Sequence, residues 1–573
     1  MRNSLLQLVC LAKHLQNQIR VGPLLPKPVS PLLWRTIHGH RPKYGQTVGF
    51  TLKTHTCGEL TAHNVGETVT LRGFLQYQRM GKFAVLRDSA GQTQIILREE
   101  NTEMSKLLNQ TPFESYVEVK GVVQQRPEDQ YNKNMLTGEI EILAHRYEVL
   151  SKVQRDLPFI IRSYNKPKEN LRLQYRYLDL RHEELQRNLK LRSMGAQEFV
   201  VPSRHPGKFY SLVQSPQTYK QLAMIGGFER YFQFAICYRD EGGKPDRQPE
   251  FMQVDLEVAN VTMEEIQRLI ENLLAYSWPS HLSPVQTPFP VVTYQEAMSK
   301  YGVDKPDTRF DWKAAVTKKI ISSWESLAKR EFNLNGPSVM YVKDNYELQG
   351  NLAKFINLTT QRNLIEGLSG QKGDILVMAA GPTNSALSLL GKLRLLAADI
   401  MEAAGKQVRS NGSFNFLWVV DFPLFEFDDK LGKIVSLHHP FTLPKEGDAH
   451  LLYTDPLQAK SQHYDLVLNG SEIGGGSIRV HDPVMQRHIV EDILKLDAQS
   501  LKFFNEALAS GTPPHGGIAL GFDRLMEKIC GGKSIRDVIA FPKSMEGRCL
   551  MSGAPGMITK EEEQLYHISI KHT

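Results

Sequence analysis

Two carboxylates flanking a tight turn carry the most specific chemical expectation in this sequence. In HYDLVLNGSEIGGGSIRVH, Asn469-Gly470 has the composition of a two-residue hairpin turn; it would pair Val467 with Glu472 and leave Asp465 one diagonal step away on the same face. Carboxylates that converge in this way repel unless a cation lies between them, and Mg²⁺ is held by one or two carboxylates completed by substrate phosphates. An exposed acidic hairpin is the competing reading. A second cluster is CYRDEGGKPDRQPEFMQVDLE, Cys237 to Glu257, which gathers nine charged residues around one short loop. Arg239 and Glu241 lie two residues apart, so on a strand they share a face. The guanidinium could clamp a phosphate or carboxylate while the acid accepts from an amino group, and a plain cross-strand ion pair is the alternative. A third is GIALGFDRLMEKI, which reads as strand, glycine turn and helix start. It sets Arg524 near a helix N-terminus beside Gly521, an end that already favours anions, although an Asp-Arg pair is often only a surface ion pair.

The elements that must hold these groups follow from hydrophobic periodicity. Phe232, Phe234, Ile236 and Tyr238 alternate with Gln233, Ala235, Cys237, Arg239 and Glu241. After the turn-rich GGKPDRQ, Met252, Val254, Leu256 and Val258 alternate with Phe251, Gln253, Asp255 and Glu257. Two antiparallel strands sharing one charged, inward face are expected. Between Cys57 and Glu148, five β-rich runs separated by Gly and polar turns predict a small Greek-key barrel of the OB type. A polar helical stretch spans Asn170 to Leu191. A mixed region from about Phe310 to Ala386, with Trp312 and Trp324, interrupts the larger domain, and strands with Gly-rich turns return from Leu389 to Phe541.

Bulk composition narrows the class. The chain has 573 residues, 41% hydrophobic and 23% charged, and a formal charge of +7. That charge belongs to a leader: the first acidic residue is Glu59, residues 1–58 carry eight Lys or Arg, and the remainder has 61 basic against 62 acidic residues. An acid-free, apolar and scattered-basic opening fits a mitochondrial transit peptide; a secretory signal is the rival. Five cysteines, an odd number without CxxC, argue against a disulfide framework and against a zinc site. No apolar run approaches the ~18 residues needed to span a membrane.

RYLDLRHEELQ, QSPQTYKQLAM, YRDEGGKPDRQPEF, YGVDKPDTR, LHHPFT, NGSEIGGGSIRVH and GIALGFDRL follow one another behind the barrel. In this order they resemble the bacterial-type aspartyl-tRNA synthetases, class II enzymes, and with the leader the mitochondrial members of that family. The resemblance runs from about Cys57 to His567 and implies an α+β fold: an N-terminal OB-fold anticodon-binding barrel, an antiparallel-sheet catalytic domain and an inserted α/β domain. The implied boundaries are 1–45 for transit peptide and linker, 46–152 for the barrel, 153–307 for the hinge and first catalytic half, 308–386 for the insert and 387–573 for the second half.

The resemblance also implies ATP and Mg²⁺, L-aspartate and tRNA(Asp) as ligands, a homodimer, no membrane partner and residence in the mitochondrial matrix. By the same resemblance, Arg239 and Arg524 are catalytic, and Asp240, Glu241, Gln248, Glu472, Gly521, Phe522 and Asp523 join them around ATP. Gln217, Lys220, Arg239, Asp255, His438 and Arg479 take aspartate, Asp465 and Glu472 the metal, and Phe83 and Gln94 an anticodon base. His438 and His439 have no His or Cys partner at metal spacing. A basic surface for tRNA would have to be local, beginning with Arg72, Arg79, Lys82 and Arg87.

One segment departs from the family. In LRSMGAQEFVVPSR, Leu191 to Arg204, Met194 meets Gly195 directly, where the family continues a long helix, a strand with a characteristic proline and a mobile loop. That missing strand, motif 1, forms the family's dimer interface, so dimerisation and full activity are both put in question here. A non-catalytic tRNA-binding protein or an impaired variant is therefore the alternative function, and the Lys220 and Arg479 pair argues against an asparagine-related synthetase.

Overall fold

The computed structural model describes residues 52–98, 100–154, 156–161, 167–182, 200–212, 214–239, 246–310, 318–410, 412–497 and 501–570. They form two compact units. One takes the chain up to residue 273 with 423–463 and 474–573, the other 274–422 with 464–473.

The first unit opens with a closed five-stranded barrel. Its strands are β1 (Thr68–Arg79), β2 (Phe83–Arg87), β3 (Gln92–Leu97), β4 (Tyr116–Gln125) and β5 (Ile140–Ser151), in the order β1-β2-β3-β5-β4. Every pairing is antiparallel except β3 with β5. Alternate residues such as Ala84 and Leu86, or Ile95 and Leu97, are buried in the barrel core, the period of a strand with one face inward. A helix, Thr102–Gln110, which strand periodicity alone did not suggest, lies between β3 and β4.

Behind the barrel, four antiparallel strands neighbour one another in the order Arg230–Tyr238, Glu250–Ala259, His515–Gly521 and Ser471–Ile478. Gln233 faces Asp255, Ala235 faces Gln253 and Cys237 faces Phe251, so the alternation read from sequence is the observed register. The face carrying Gln233, Asp255 and Glu257 is buried, and along Glu250–Ala259 so is the opposite face, with Val254, Leu256 and Val258.

The expected polar helix from Asn170 differs. Its described part is two short helices, Glu169–Gln174 and Arg176–Asp179, with Tyr175 between them at φ −111° and ψ 49°. Arg172 and Asp179 would be about 10 Å apart along a straight helix. The break instead lets Arg172 Nε donate to the buried Asp179 carboxylate at 2.8 Å, which also takes Arg176. Residues 183–199, including the Met194–Gly195 junction, lie outside the described residues.

Barrel and body are joined by buried charges. Lys53 Nζ lies 2.9 Å from Asp88 and 2.8 Å from Glu229. Arg181, 1% exposed, donates to Glu114 (3.2 Å) and to the carbonyls of Ile225 (2.9 Å), Ser510 (3.1 Å) and Gly511 (2.6 Å), with its guanidinium 4.0 Å from the Phe74 ring centroid. Glu114 also accepts from Arg87 at 2.7 Å.

The second unit has its own core. Val291–Thr293 runs parallel to Phe416–Val420, which pairs antiparallel with residues 464–468, and Phe289 stacks on Phe416 at 4.7 Å beside buried Trp418. A three-stranded sheet, Leu348–Gln349, Ser338–Val342 and Ile375–Met378, is accompanied by the helices Lys318–Phe332, Leu358–Gly367 and Thr383–Ala403. Trp324 is buried in this core; Trp312 lies outside the described residues.

Truncating Arg181 to Ala would orphan three buried carbonyls and part of Glu114. A loss of about 3–5 kcal/mol in urea denaturation is expected, with Arg181→Lys recovering only part of it. A loss below about 1 kcal/mol would show that the junction relaxes without it.

Candidate active site

The densest constellation of charge is buried where the helix Gln217–Ile225 crosses the strand Glu250–Ala259. Lys220 and Arg479 are each 1% exposed, and Asp255 and Glu257 are both 0% exposed. Lys220 Nζ sits 3.1 Å from Asp255 and 3.1 Å from Glu257. Glu257 also receives Arg479 in a bidentate pair, Nε at 2.9 Å and Nη2 at 3.1 Å. Arg479 Nη1 reaches His439 Nε2 and Ser477 Oγ, both at 2.6 Å, and Nη2 reaches the Gly517 carbonyl at 3.2 Å. Burial acts to raise the Glu257 carboxyl, but Arg479 and Lys220 outweigh it and hold it at about 2. Asp255 has less cationic company, and burial wins there, raising its carboxyl.

Gly517 makes the approach of Glu257 possible. A Cβ at that position would lie 2.1 Å from Glu257 Oε2 and 2.2 Å from the Leu256 carbonyl. Burial, then the adjacent Arg479, keeps His439 well below the usual histidine range, so neutral Nε2 accepts from the guanidinium. His438, the histidine implied by the resemblance, instead stacks on His463 with centroids 3.4 Å apart. Glu257 and His439 are thus the members of this cluster that the motif comparison passed over. Glu257 was signalled by its place two residues beyond Asp255 in the same alternation, whereas nothing in the HH pair says which imidazole turns to Arg479.

Of the residues expected around aspartate, Gln217 Nε2, Asp255 Oδ2 and Arg239 Nε are buried without a hydrogen-bond partner among the described residues. Arg239 follows the strand Arg230–Tyr238, its backbone N–H donates to Pro249 at 2.9 Å, and its guanidinium lies 5.3 Å from the Phe251 ring centroid. Two donors and one acceptor of this kind, buried with no partner among the described residues, suit a small zwitterionic ligand. Asp240 and Glu241 lie outside the described residues.

Gln248 is committed to the fold. Its amide exchanges hydrogen bonds with the backbone of Lys543, at 3.1 Å and 2.7 Å, so its side chain anchors this loop. Asp523 is also a brace: its carboxylate accepts the Met252 N–H at 2.7 Å, tying the start of the helix Phe522–Cys530 to the neighbouring strand. Gly521 is the N-cap, Phe522 meets Phe234 edge-on at 5.9 Å, and Arg524 lies 3.5 Å from Asp246.

In the second unit, Asn469 and Gly470 form the turn at φ 51° and 81° between strands ending at Leu468 and starting at Ser471. Asp465 and Glu472 converge on one cation, the ammonium of Lys305, 3.5 Å from each. Burial opposes that charge, but Asp465, Glu472 and Asp304 raise the Lys305 ammonium above its ordinary value. Two hard oxygen donors already gathered around a cation fit Mg²⁺. Among the described residues, no group of three or more His, Cys, Asp or Glu is placed to hold a metal by protein ligands alone.

On the barrel, Gln94 pairs in register with Val85, two residues from Phe83, so Phe83 and Gln94 share a half-buried face. Arg79 and Lys82 flank the Phe83 ring at 5.5 Å and 5.7 Å. Glu141 accepts from Gln94 at 2.8 Å and from Gln124 at 2.9 Å. Arg72 and Arg87, expected to begin a basic tRNA surface, are instead paired to Glu118 at 2.6 Å and Glu114 at 2.7 Å.

A family model described as tRNA synthetases class II (D, K and N) matches residues 194–545. The chain is 45% identical to "Aspartate--tRNA ligase, mitochondrial" of Mus musculus over 590 residues, taking in 91% of this chain and 90% of that protein. The Homo sapiens protein of the same description is 45% identical, with 91% of each covered. "Aspartate--tRNA(Asp/Asn) ligase" of Opitutus terrae is 37% identical over 90% of this chain and 99% of its own length. The mouse alignment is longer than the whole 573-residue chain although part of the chain is outside it, so the relative has stretches with no counterpart here.

His515 closes the cluster from behind, within 3.2 Å of the Gln221 amide and 2.9 Å of the Pro513 carbonyl. Burial pulls its imidazole down to about 4. The unfolded chain takes that proton near pH 6.5, so this stabilisation is complete above about 6.5 and is lost as pH falls toward 4, on the order of 3 kcal/mol by pH 4. Denaturation of the wild type and His515→Gln at pH 7 and pH 5 should show the variant less stable at neutral pH, with a shallower acid loss. Parallel pH profiles would sink the assignment.

Proposed function

The chain belongs to the class II tRNA synthetases, among the aspartate–tRNA ligases, and from that premise we propose that it attaches L-aspartate to tRNA(Asp) in the mitochondrial matrix, using ATP and Mg²⁺. The observation that carries this reading is the buried Lys220–Glu257–Arg479 cluster, with its unpartnered atoms on Gln217, Asp255 and Arg239. Lys220 and Arg479 take the side-chain carboxylate of aspartate. Asp255 Oδ2 accepts from the α-ammonium, and Gln217 Nε2 and Arg239 Nε donate to substrate oxygens. Asparagine would turn the N–H donors of its amide toward the ammonium of Lys220 and the guanidinium of Arg479, a donor-to-donor mismatch that supports discrimination on the order of 10⁴-fold.

The α-carboxylate then attacks the α-phosphorus of ATP, the bond to the bridging oxygen breaks, and pyrophosphate leaves with its electrons. Aspartyl-adenylate remains, and the terminal ribose hydroxyl of tRNA(Asp) displaces AMP from it. Positioning and electrostatics supply most of such a rate. Arg239 holds the α-phosphate, Arg524, on the first turn of its helix, the γ-phosphate, and Glu241 the adenine amino group. Gly521, Phe522 and Asp523 frame that helix start, and Gln248 ties its own segment to the backbone of Lys543. Asp465 and Glu472 would hold Mg²⁺, whose charge would offset that of the phosphates. Phe83 stacks on an anticodon base and Gln94 hydrogen-bonds it, with Arg79 and Lys82 beside the backbone. Retention of Arg239, Glu241 and Arg524 disfavours a non-catalytic tRNA-binding protein.

Aspartate-dependent pyrophosphate exchange tests the reading, run on this chain and on the chain with a relative's segment inserted between Met194 and Gly195. Exchange with aspartate and not asparagine is expected; absence from both forms would overturn it. In whichever form is active, Arg239→Ala and Arg524→Ala should abolish exchange with tRNA binding nearly unchanged, because neither residue lies in the barrel that carries Phe83 and Gln94. Wild-type exchange in either variant would remove that residue from the ATP site. For the barrel, Gln94→Ala should weaken tRNA(Asp) binding by about 1–3 kcal/mol with an unchanged salt dependence, since a base contact is lost and no phosphate contact. Unchanged affinity with a lower melting temperature would make Gln94 a brace for Glu141.

A further inference from the structure

Lys305 lies in YGVDKPDTR, a motif to which the reaction assigns no role, on a loop anchored at both ends. The loop leaves the helix Tyr294–Tyr301 through Gly302, at φ 66°, where a Cβ would come within 2.1 Å of the Leu387 carbonyl. At its far end Arg394 donates to the carbonyls of Asp307 (3.0 Å) and Phe310 (2.5 Å), with its guanidinium 4.0 Å from the Phe310 ring centroid. The Asp307 side chain holds Arg309 at 2.7 Å and Arg409 at 3.3 Å. The backbone that presents Lys305 is therefore fixed, while its four-carbon side chain keeps its rotamers.

The ammonium stands 3.5 Å from both Asp465 and Glu472, beyond the range of a strong hydrogen bond, and 2.5 Å from Asp304. It neutralises the first two as a point charge and is hydrogen-bonded to the third. Asp304 and Glu472 are both open to water, their side chains 40% and 37% accessible, against 2% for Asp465.

We propose that Lys305 is an internal counter-ion which occupies the divalent-cation position of the nucleotide-free enzyme and withdraws to Asp304 when the metal–nucleotide complex arrives. The proposal rests on the reading of Asp465 and Glu472 as the metal ligands. With the lysine in place the two acids remain together without a metal, and a bare divalent ion must displace a bound charge to enter. A metal carried by ATP brings phosphate oxygens to complete its shell, and the ammonium, held by Asp304, is left beside a polyphosphate anion. Metal and nucleotide thus enter as one complex, and free metal is discriminated against.

Mn²⁺ titration of the full chain, followed by electron paramagnetic resonance, tests this, with and without a non-hydrolysable ATP analogue. Without nucleotide, Lys305→Met should bind Mn²⁺ at least about tenfold more tightly than wild type, because a competing charge is gone. With the analogue the difference should shrink to within about threefold. Lys305→Arg, which keeps the charge, should stay near wild type; circular dichroism establishes folding, and Lys305→Gln replaces the Met variant if that one misfolds. Asp465→Asn and Glu472→Gln should weaken Mn²⁺ under both conditions. Unchanged or weaker nucleotide-free binding in the Lys305 variants, while the acid variants lose binding, would overturn the counter-ion and leave the ligand reading standing. Unchanged binding in the acid variants would overturn the ligand reading itself.

Discussion

Glu257 is the group on which the interior of the first unit depends. Its carboxylate receives Lys220 from a helix and Arg479 from the end of a neighbouring strand, all three almost wholly buried. Ions removed from water are stable only when each has its partner, because the desolvation cost per ion is several kcal/mol. The helix Gln217–Ile225 and the strands ending at Ala259, Ile478 and Gly521 are therefore coupled through one charge. Gly517 belongs to the same constraint, since any side chain there would occupy the space of the carboxylate. The cluster is preorganised: its cations already stand in position, and their net charge with Asp255 and Glu257 is zero.

That neutrality changes how recognition of an acidic substrate must work. Two unpaired buried cations would attract any anion, but they would also be unstable before substrate arrived. Here the anionic partners are supplied by adjacent residues of one strand face, and under the proposed reading the substrate also meets the hydrogen bonds left unmade, among the described residues, on Gln217, Asp255 and Arg239. Buried polar atoms without partners are costly, so a ligand that satisfies all of them gains more than one that satisfies some.

Much of this architecture is legible in sequence because it follows local periodicities. The alternation around Asp255 fixes its register against Gln233, and the Asn469-Gly470 turn sends Asp465 and Glu472 to one cation. The identity of that cation is not legible: Lys305 arrives from a loop far away in the chain, placed by Arg394 and Gly302. Nor can composition distinguish a surface arginine from a structural one. Arg72 and Arg87 look like a basic face for tRNA, yet the barrel register puts Glu118 opposite Arg72, and the junction gives Arg87 to Glu114. The helix expected from Asn170 breaks because a buried aspartate needs two arginines at once.

The two acid pairs of this chain show how burial decides between a permanent and an exchangeable charge. Asp255 and Glu257 are sealed and hold their cations at 3.1 Å or less, so separating them would leave ions in a medium that cannot solvate them. Asp465 and Glu472 differ: Glu472 keeps 37% of its side chain accessible, and both stand at a longer distance from an ammonium that is itself 28% accessible. Water can solvate that lysine as it leaves, and a doubly charged ion with additional oxygen ligands can replace it. The same chemistry of two carboxylates and a lysine thus serves as fixed framework in one place and as a replaceable counter-ion in the other, with accessibility and one neighbouring aspartate making the difference.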